Sequence, residues 1–294
     1  MKISVIGAGN VGASTALKIC EKKLAEKIVL VDIAEGIPQG KALDILEAMP
    51  LCKSNSMITG TNDYSEIKDS DIVVVTAGVP RKPGMTRDDL IDVNTKITKS
   101  IAAEIKKHAP NSVVIIVTNP LDLMAYVMLK ETGFDKKKVI GMAGILDSTR
   151  FRCFIAMETG ASVDEVEAMV LGSHGDSMVP LAAHTKVKGK PITDILDADK
   201  VEAIVDRTRK GGAEIVKHLK TGSAFYAPAA SVVEMIESIV NEDGKILPCS
   251  VLLEGEYGLD DIFTGVPVKL CRDGIKEIVE LDLRMRKSFL RLLQ

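Results

Sequence analysis

Residues 2–23, KISVIGAGNVGASTALKICEKK, pass from a β-branched run through glycines at positions 7, 9 and 12 into a helical pattern. A strand, a glycine turn and a helix in immediate succession open a βαβ unit, so the next strand should return parallel to the first. KIVLVD at 27–32 supplies that strand. The rhythm repeats through a helix over 40–49, the run DIVVVTAG at 71–78, a long helix near 89–108, SVVIIVTNP at 112–120 and KVIGMAG at 138–144. Strands that are apolar along their whole length suit a parallel sheet covered by helices on both faces.

The expected fold class is therefore α/β, with a Rossmann doubly wound parallel sheet domain over 1–143 followed by an α+β substrate or catalytic domain over 144–294. The glycines fit G-x-G-x-x-G, and each has a physical task. Gly7 makes the tight turn, Gly9 lets a pyrophosphate approach the backbone, and Gly12 lets the helix pack on the strand. Asn10 and Val11 open that helix, whose amino-terminal dipole suits phosphate. Asp32 stands twenty positions after Gly12, where a carboxylate accepts both ribose hydroxyls of an adenosine. A phosphate on that ribose would be repelled, and no arginine follows at once to accommodate it. The expected cofactor is NAD rather than NADP.

Composition narrows the partners. Lysine and arginine total 38 against 41 acidic residues, a net charge of -3, and no sustained basic run favours nucleic acid or an anionic membrane. Aromatic residues are 3% of the chain and tryptophan is absent, which argues against base-stacking platforms. The start, MKISVIGAGN, lacks the pattern of a signal peptide, and no apolar run approaches the roughly 20 residues of a membrane span. The five cysteines are scattered without a C-x-x-C pair, so neither a disulfide framework nor a metal site is expected. A small-molecule substrate and a cytoplasmic location fit best.

After residue 144 the rhythm changes. DEVEAMVLGSHGDSMVP alternates and then turns, HTKVKGKPI suggests a hairpin, and three helical patterns follow, the last over 275–293. Of four histidines, His108 ends a helix, where a cation suits the dipole, and His218 lies among lysines. His174, in LGSHGDS, differs because it follows an apolar strand between glycine turns. In ILDSTRFR, Asp147 and Arg150 are three apart at a helix start and share one face. They form either an ordinary intrahelical ion pair, or a carboxylate that orients an imidazole beside a guanidinium fork that grips a carboxylate substrate. VPRKPGMTR at 79–87 adds cations to a loop that two prolines and a glycine keep irregular.

Taken in order, GAGNVG, VDI, VTAGVPRKPGMTRDDL, VTNPLD, LDSTRFR, GSHGDSMVP, GSAFYAPA and GEYGLDDIFTGVPVKL make the whole chain resemble the lactate/malate dehydrogenase family, and within it the malate dehydrogenases of lactate-dehydrogenase-like type. The resemblance implies that His174 is the proton acceptor and Asp147 its partner. Arg150 would bind the carboxylate next to the reacting carbon, Arg87 would polarise the carbonyl, and Arg81 would take the distal carboxylate of malate or oxaloacetate. Asn119 would bridge substrate and cofactor beside a cis bond to Pro120, Asn94 and Val117 would touch the cofactor, and Ser223 would lie near the substrate. VPRKPGMTR would be a mobile lid. The resemblance also implies a tricarboxylic acid cycle reaction and a homo-oligomer, a tetramer or a dimer.

Three other readings compete. A lactate or other 2-hydroxy-acid dehydrogenase is opposed by Arg81, since an unpaired arginine facing a methyl group is costly. A short-chain dehydrogenase would use a Tyr-x-x-x-Lys pair, found here as Tyr64 with Lys68 and Tyr126 with Lys130, but with different glycine spacing. An NAD-sensing module would bind cofactor without turnover.

Overall fold

The computed structural model describes residues 1–80, 84–175 and 177–281. Its first half runs β1 (Lys2–Ile6), α1 (Asn10–Glu21), β2 (Lys27–Val31), α2 (Ile37–Cys52), β3 (Met57–Thr61), β4 (Ile72–Val75), α3 (Arg87–His108), β5 (Val113–Ile116), α4 (Leu121–Thr132) and β6 (Val139–Gly141). The second half runs α5 (Gly144–Thr159), β7 (Val166–Glu167), β8 (Val170–Leu171), β9 (Val179–Pro180), β10 (Lys186–Val187), β11 (Lys190–Pro191), α6 (Ala198–Leu219), α7 (Tyr226–Asn241), β12 (Ile246–Glu254), β13 (Asp260–Cys271) and β14 (Gly274–Ile278).

The strand period of two decides which face each residue serves. Ile3 and Val5 of β1, Ile72 and Val74 of β4, and Val113 and Ile115 of β5 enter one apolar core with α1, α2 and α7. Their neighbours Ile6, Val73, Val75, Val114 and Ile116 enter the opposite core with α3 and α4. Both faces are buried, which explains why these strands carry no polar alternation. Strands β1 to β6 pair in parallel in the order β6-β5-β4-β1-β2-β3. The order reverses between β1 and β4, and a crevice opens there beyond the carboxyl ends of the strands.

The second half departs from the sequence reading in two places. Strands β12 and β13, which were not anticipated, form a long antiparallel hairpin, and β12 pairs with β6. With β14 they extend the parallel sheet to nine strands rather than building a separate one. The helical pattern expected over 275–293 also begins as strand β14, antiparallel to β13. The Asp273-Gly274 turn explains this, since Gly274 has φ +104° and a Cβ there would lie 2.0 Å from the Lys137 carbonyl oxygen. Ile275 and Ile278 have a spacing that fits a helix, but they sit in a hairpin; residues 282–294 lie outside the described ones. The expected hairpin at HTKVKGKPI is present as β10 and β11. A third core joins Phe151 and Ile155 of α5 to Val201 and Ile204 of α6 and seats the helix that carries Asp147 and Arg150.

Candidate active site

The glycine turn lies at the crevice. Gly7 has φ +105°, and a Cβ there would lie 2.6 Å from the Ala77 main-chain nitrogen. A Cβ on Gly12 would lie 1.8 Å from the Gly7 carbonyl oxygen, so α1 packs on the turn only because that position is bare. Gly9, by contrast, has open space where its Cβ would be, and no acidic residue occupies the first turn of α1. Bare backbone at a helix amino terminus is what a pyrophosphate requires. At the end of β2, Asp32 accepts from Ala8 N at 2.6 Å and Ala34 N at 2.9 Å, while Lys41 Nζ donates to Ala8 O at 2.7 Å. The carboxylate is thereby fixed beside the turn, and the residues present fit NAD.

A cleft of about 550 Å³ runs from this turn to the second half of the chain. Its lining takes Gly9, Asn10, Val11 and Gly12 from the turn, Val117 and Asn119 from beyond β5, and Arg150, His174 and Ser223 from the second half. The Asn119-Pro120 peptide is cis.

His174 sits on the turn after β8, between Gly172 at φ +83° and Gly175 at φ +115°. Its Nδ1 lies 2.9 Å from Asp147 Oδ2, which brings together residues 27 apart in sequence. An ionised carboxylate only accepts, so in the neutral imidazole this bond places the hydrogen on Nδ1 and leaves the Nε2 lone pair free. Burial alone would depress the imidazole pKa, but the Asp147 charge and hydrogen bond outweigh it and raise it above the ordinary 6.5. Arg150 Nη1 lies 3.6 Å from Asp147 Oδ1. Burial lowers the guanidinium pKa, and the Asp147 charge opposes that. Arg150 Nε and Asp147 Oδ1 are buried without hydrogen-bond partners. A buried cation with an unsatisfied donor on the cleft wall favours a carboxylate ligand.

The structure separates the remaining expected residues. Asp147 stands behind His174 and Arg150 rather than on the cleft surface, and Gly7 and Asp32 support the turn from outside the lining. Arg87 is exposed at the start of α3 and does not line the cleft. Asn94 is 1% exposed and does not line it either. Arg81 and part of the expected lid lie outside the described residues. The Tyr-x-x-x-Lys alternative fails at its second pair, since the Tyr126 hydroxyl donates to Asp261 and Lys130 stacks over the Tyr126 ring, away from the cleft.

Two features escaped the sequence reading. Asp122, in the first turn of α4, accepts from Ser250 Oγ at 2.5 Å and is bonded by the Ser173 hydroxyl and the His174 main-chain N–H. Burial raises its carboxyl pKa, and those bonds oppose the rise. It ties the His174 turn to β12 and α4. Gly211 and Gly212 flank Arg150 on α6, and a Cβ on Gly211 would lie 3.2 Å from Arg150 Cδ. Two adjacent glycines inside a helix cost about 1 kcal/mol each relative to alanine, and that anomaly was the available signal.

A dinucleotide-binding sheet that opens onto a half-buried imidazole and guanidinium backed by a buried carboxylate defines a dinucleotide-dependent dehydrogenase. The chain belongs to the lactate/malate dehydrogenase family: residues 1–141 match its NAD binding domain and residues 145–292 its alpha/beta C-terminal domain. Malate dehydrogenase of Chloroherpeton thalassium is 55% identical over 283 residues, 96% of this chain and 91% of that protein. The structure of malate dehydrogenase from Salinibacter ruber matches with a TM-score of 0.94 at 46% identity, covering 99% of this chain and 93% of that one. Lactate dehydrogenase of Cryptosporidium parvum, complexed with lactic acid and β-nicotinamide adenine dinucleotide, matches with a TM-score of 0.95 at 41% identity, covering 99% and 94%.

Proposed function

We propose that the chain is an NAD-dependent malate dehydrogenase that interconverts (S)-malate and oxaloacetate. The observation that carries the chemistry is that one cleft is shared by the glycine turn, the Asp147-oriented His174 and the half-buried Arg150. Backbone similarity does not separate malate from lactate, because solved structures of both kinds match equally well. The substrate assignment draws on relatives 54–56% identical to the chain that are named malate dehydrogenase, and on Arg81, assigned to the distal carboxylate by sequence resemblance alone.

NAD, when bound, supplies the hydride acceptor. Arg150 holds the carboxylate next to the reacting carbon, and the paired donors of its planar fork fix the substrate's orientation. His174 Nε2 takes the hydroxyl proton in malate oxidation and returns it in oxaloacetate reduction. Asp147 holds Nδ1–H, sets the tautomer and stabilises the imidazolium. Asn119 binds substrate and cofactor at the strand end, and Arg87 polarises the carbonyl once it is brought to the cleft. Oxaloacetate-dependent oxidation of NADH, followed by absorbance, tests the assignment; absence of turnover with any 2-oxo acid would leave a binding module.

The raised pKa of His174 gives this reading a pH signature. Malate oxidation needs the neutral imidazole, so its kcat/KM should rise with pH through an apparent pKa above 6.5. Asp147→Asn removes the larger of the two charges that raise it, and leaves burial and Arg150, which lower it, against Asp122 alone. The midpoint of the profile should therefore move to lower pH, together with a loss of rate. An unmoved midpoint would disconnect Asp147 from the proton that His174 carries.

We also divide the chain at 143/144, and place the protein in the cytoplasm, in a tricarboxylic acid cycle step. Among the described residues no helix is long and apolar enough to cross a membrane. A homo-oligomer, tetramer or dimer, is supported by α2, which leaves Leu43 57% and Leu51 89% exposed.

A further inference from the structure

Ser148 stands beside Asp147 on α5, and its hydroxyl is used on a different element, since Oγ accepts from Val170 N of β8 at 2.8 Å. Val170 lies four residues before His174. The bond therefore joins the helix of the orienting carboxylate to the strand that delivers the imidazole.

Alternate amides of a strand point the same way, so Val170 N and Gly172 N face one side. Gly172 N donates to Gly265 O of β13 at 2.8 Å, and Gly265 N donates to Gly172 O at 3.2 Å. Continuing that antiparallel register would set Val170 opposite Pro267, whose carbonyl oxygen already accepts from Val279 N at 2.8 Å. Ser148 Oγ stands in for the missing ladder partner. Val170 is 0% exposed, so without Oγ its N–H would be a buried orphan donor. The packing has no slack. A Cβ on Gly144, one turn earlier on α5, would lie 2.6 Å from Val170 O, and one on Gly265 would lie 2.5 Å from Gly172 O. Helix α5 thus meets Val170 at both of its peptide groups, and β13 holds Gly172 just before the turn that carries His174.

We infer that Ser148 is a positioning residue that fixes the distance between the His174 imidazole and the Asp147 carboxylate by holding β8 against α5. This rests on the proposed function, which gives the moving proton to His174. Ser148 does not line the cleft shared by His174 and Arg150, so it meets neither substrate nor cofactor. An alanine at 148 orphans Val170 N and frees β8 to draw back from α5. A threonine keeps the oxygen, and a cavity of about 350 Å³ that Ser148 lines has room for its methyl group.

The test compares full-length Ser148→Ala and Ser148→Thr enzymes by kcat/KM for oxaloacetate, by the NADH dissociation constant, and by the pH dependence of His174 carbethoxylation with diethyl pyrocarbonate, followed on its peptide by mass spectrometry. The last readout needs no substrate, because the reagent attacks only the neutral imidazole. Among the described residues, the charged groups that act on His174 are Asp147 and Arg150 of α5 and Asp122 of α4, and neither substitution alters them. Ser148→Ala should lower kcat/KM about 10-fold with the NADH constant changed by less than about threefold. It should also move the carbethoxylation midpoint to lower pH, since a more distant Asp147 favours the imidazolium less. Ser148→Thr should restore both. A fall in melting temperature with turnover and midpoint unchanged would make the bond merely structural and overturn the proposal. A rise in the NADH constant matching the loss of kcat/KM would overturn it too. So would a threonine variant with the alanine defects, or an alanine variant that does not fold, either of which would make Ser148 a general support of α5. Wild-type inactivity on oxaloacetate, with the midpoint still moved by Ser148→Ala, would refute the substrate assignment and leave the positioning role standing.

Discussion

Replacing His174 by asparagine lowers oxaloacetate reduction by about 10³-fold while NADH binding stays intact, because a positioned general acid-base group contributes roughly 10²- to 10⁴-fold. Asparagine fills much of the same volume and its amide can still donate to Asp147 Oδ2, so the turn between Gly172 and Gly175 keeps its anchor. Lost in this change is a group that can hold a proton near neutral pH. The variant should also lose the rise of malate oxidation with pH, since no group with the raised pKa of His174 remains to titrate. Paired measurements of steady-state rate and NADH affinity decide the matter. Near-normal turnover with normal NADH binding would remove His174 from the chemistry.

Arg150→Leu should cost about 4 kcal/mol in kcat/KM, on the order of a thousand-fold, the range for truncating one partner of a buried, hydrogen-bonded charge pair. Two losses combine. The substrate carboxylate forfeits its cation, and Asp147, 1% exposed, forfeits the guanidinium 3.6 Å from Oδ1. Arg150→Lys separates them, because an ammonium restores the charge without the planar fork. The lysine variant should recover only part of the loss, with KM remaining high. Full recovery by lysine would mean that charge alone, rather than paired donors, holds the substrate. The bare positions Gly211 and Gly212 beside the guanidinium leave room for either side chain.

The parts of the site that were legible in the sequence are those whose chemistry is local. Gly7, Gly9, Gly12 and Asp32 are spaced by one βαβ unit, and their spacing follows from the length of a strand and a helix. Asp147 and Arg150 share a helix face. His174 was singled out by its glycine neighbours, although its bond to Asp147 spans 27 residues and came from resemblance rather than spacing. Asp122 was not legible because its partner Ser250 is 128 residues away on a strand that the sequence reading did not foresee. The strands β12 and β13 went unforeseen because a short apolar run suits a buried helix as well as a strand, and only pairing with β6 decides between them. The 275–278 stretch failed for the same reason, with the Asp273-Gly274 turn as the overlooked signal. The bonds of Asn94 to the main chain of Val79 and Asn119, 15 and 25 residues away, were not legible because they join a helix to two strand ends.

Malate specificity and NAD dependence are tested most directly by following NADH absorbance with oxaloacetate and with pyruvate at matched concentrations, and repeating the better substrate with NADPH. The enzyme should strongly prefer oxaloacetate and NADH, as a second substrate carboxylate and the ribose contact of Asp32 require. Preference for pyruvate, or equal use of NADPH, would contradict that expectation.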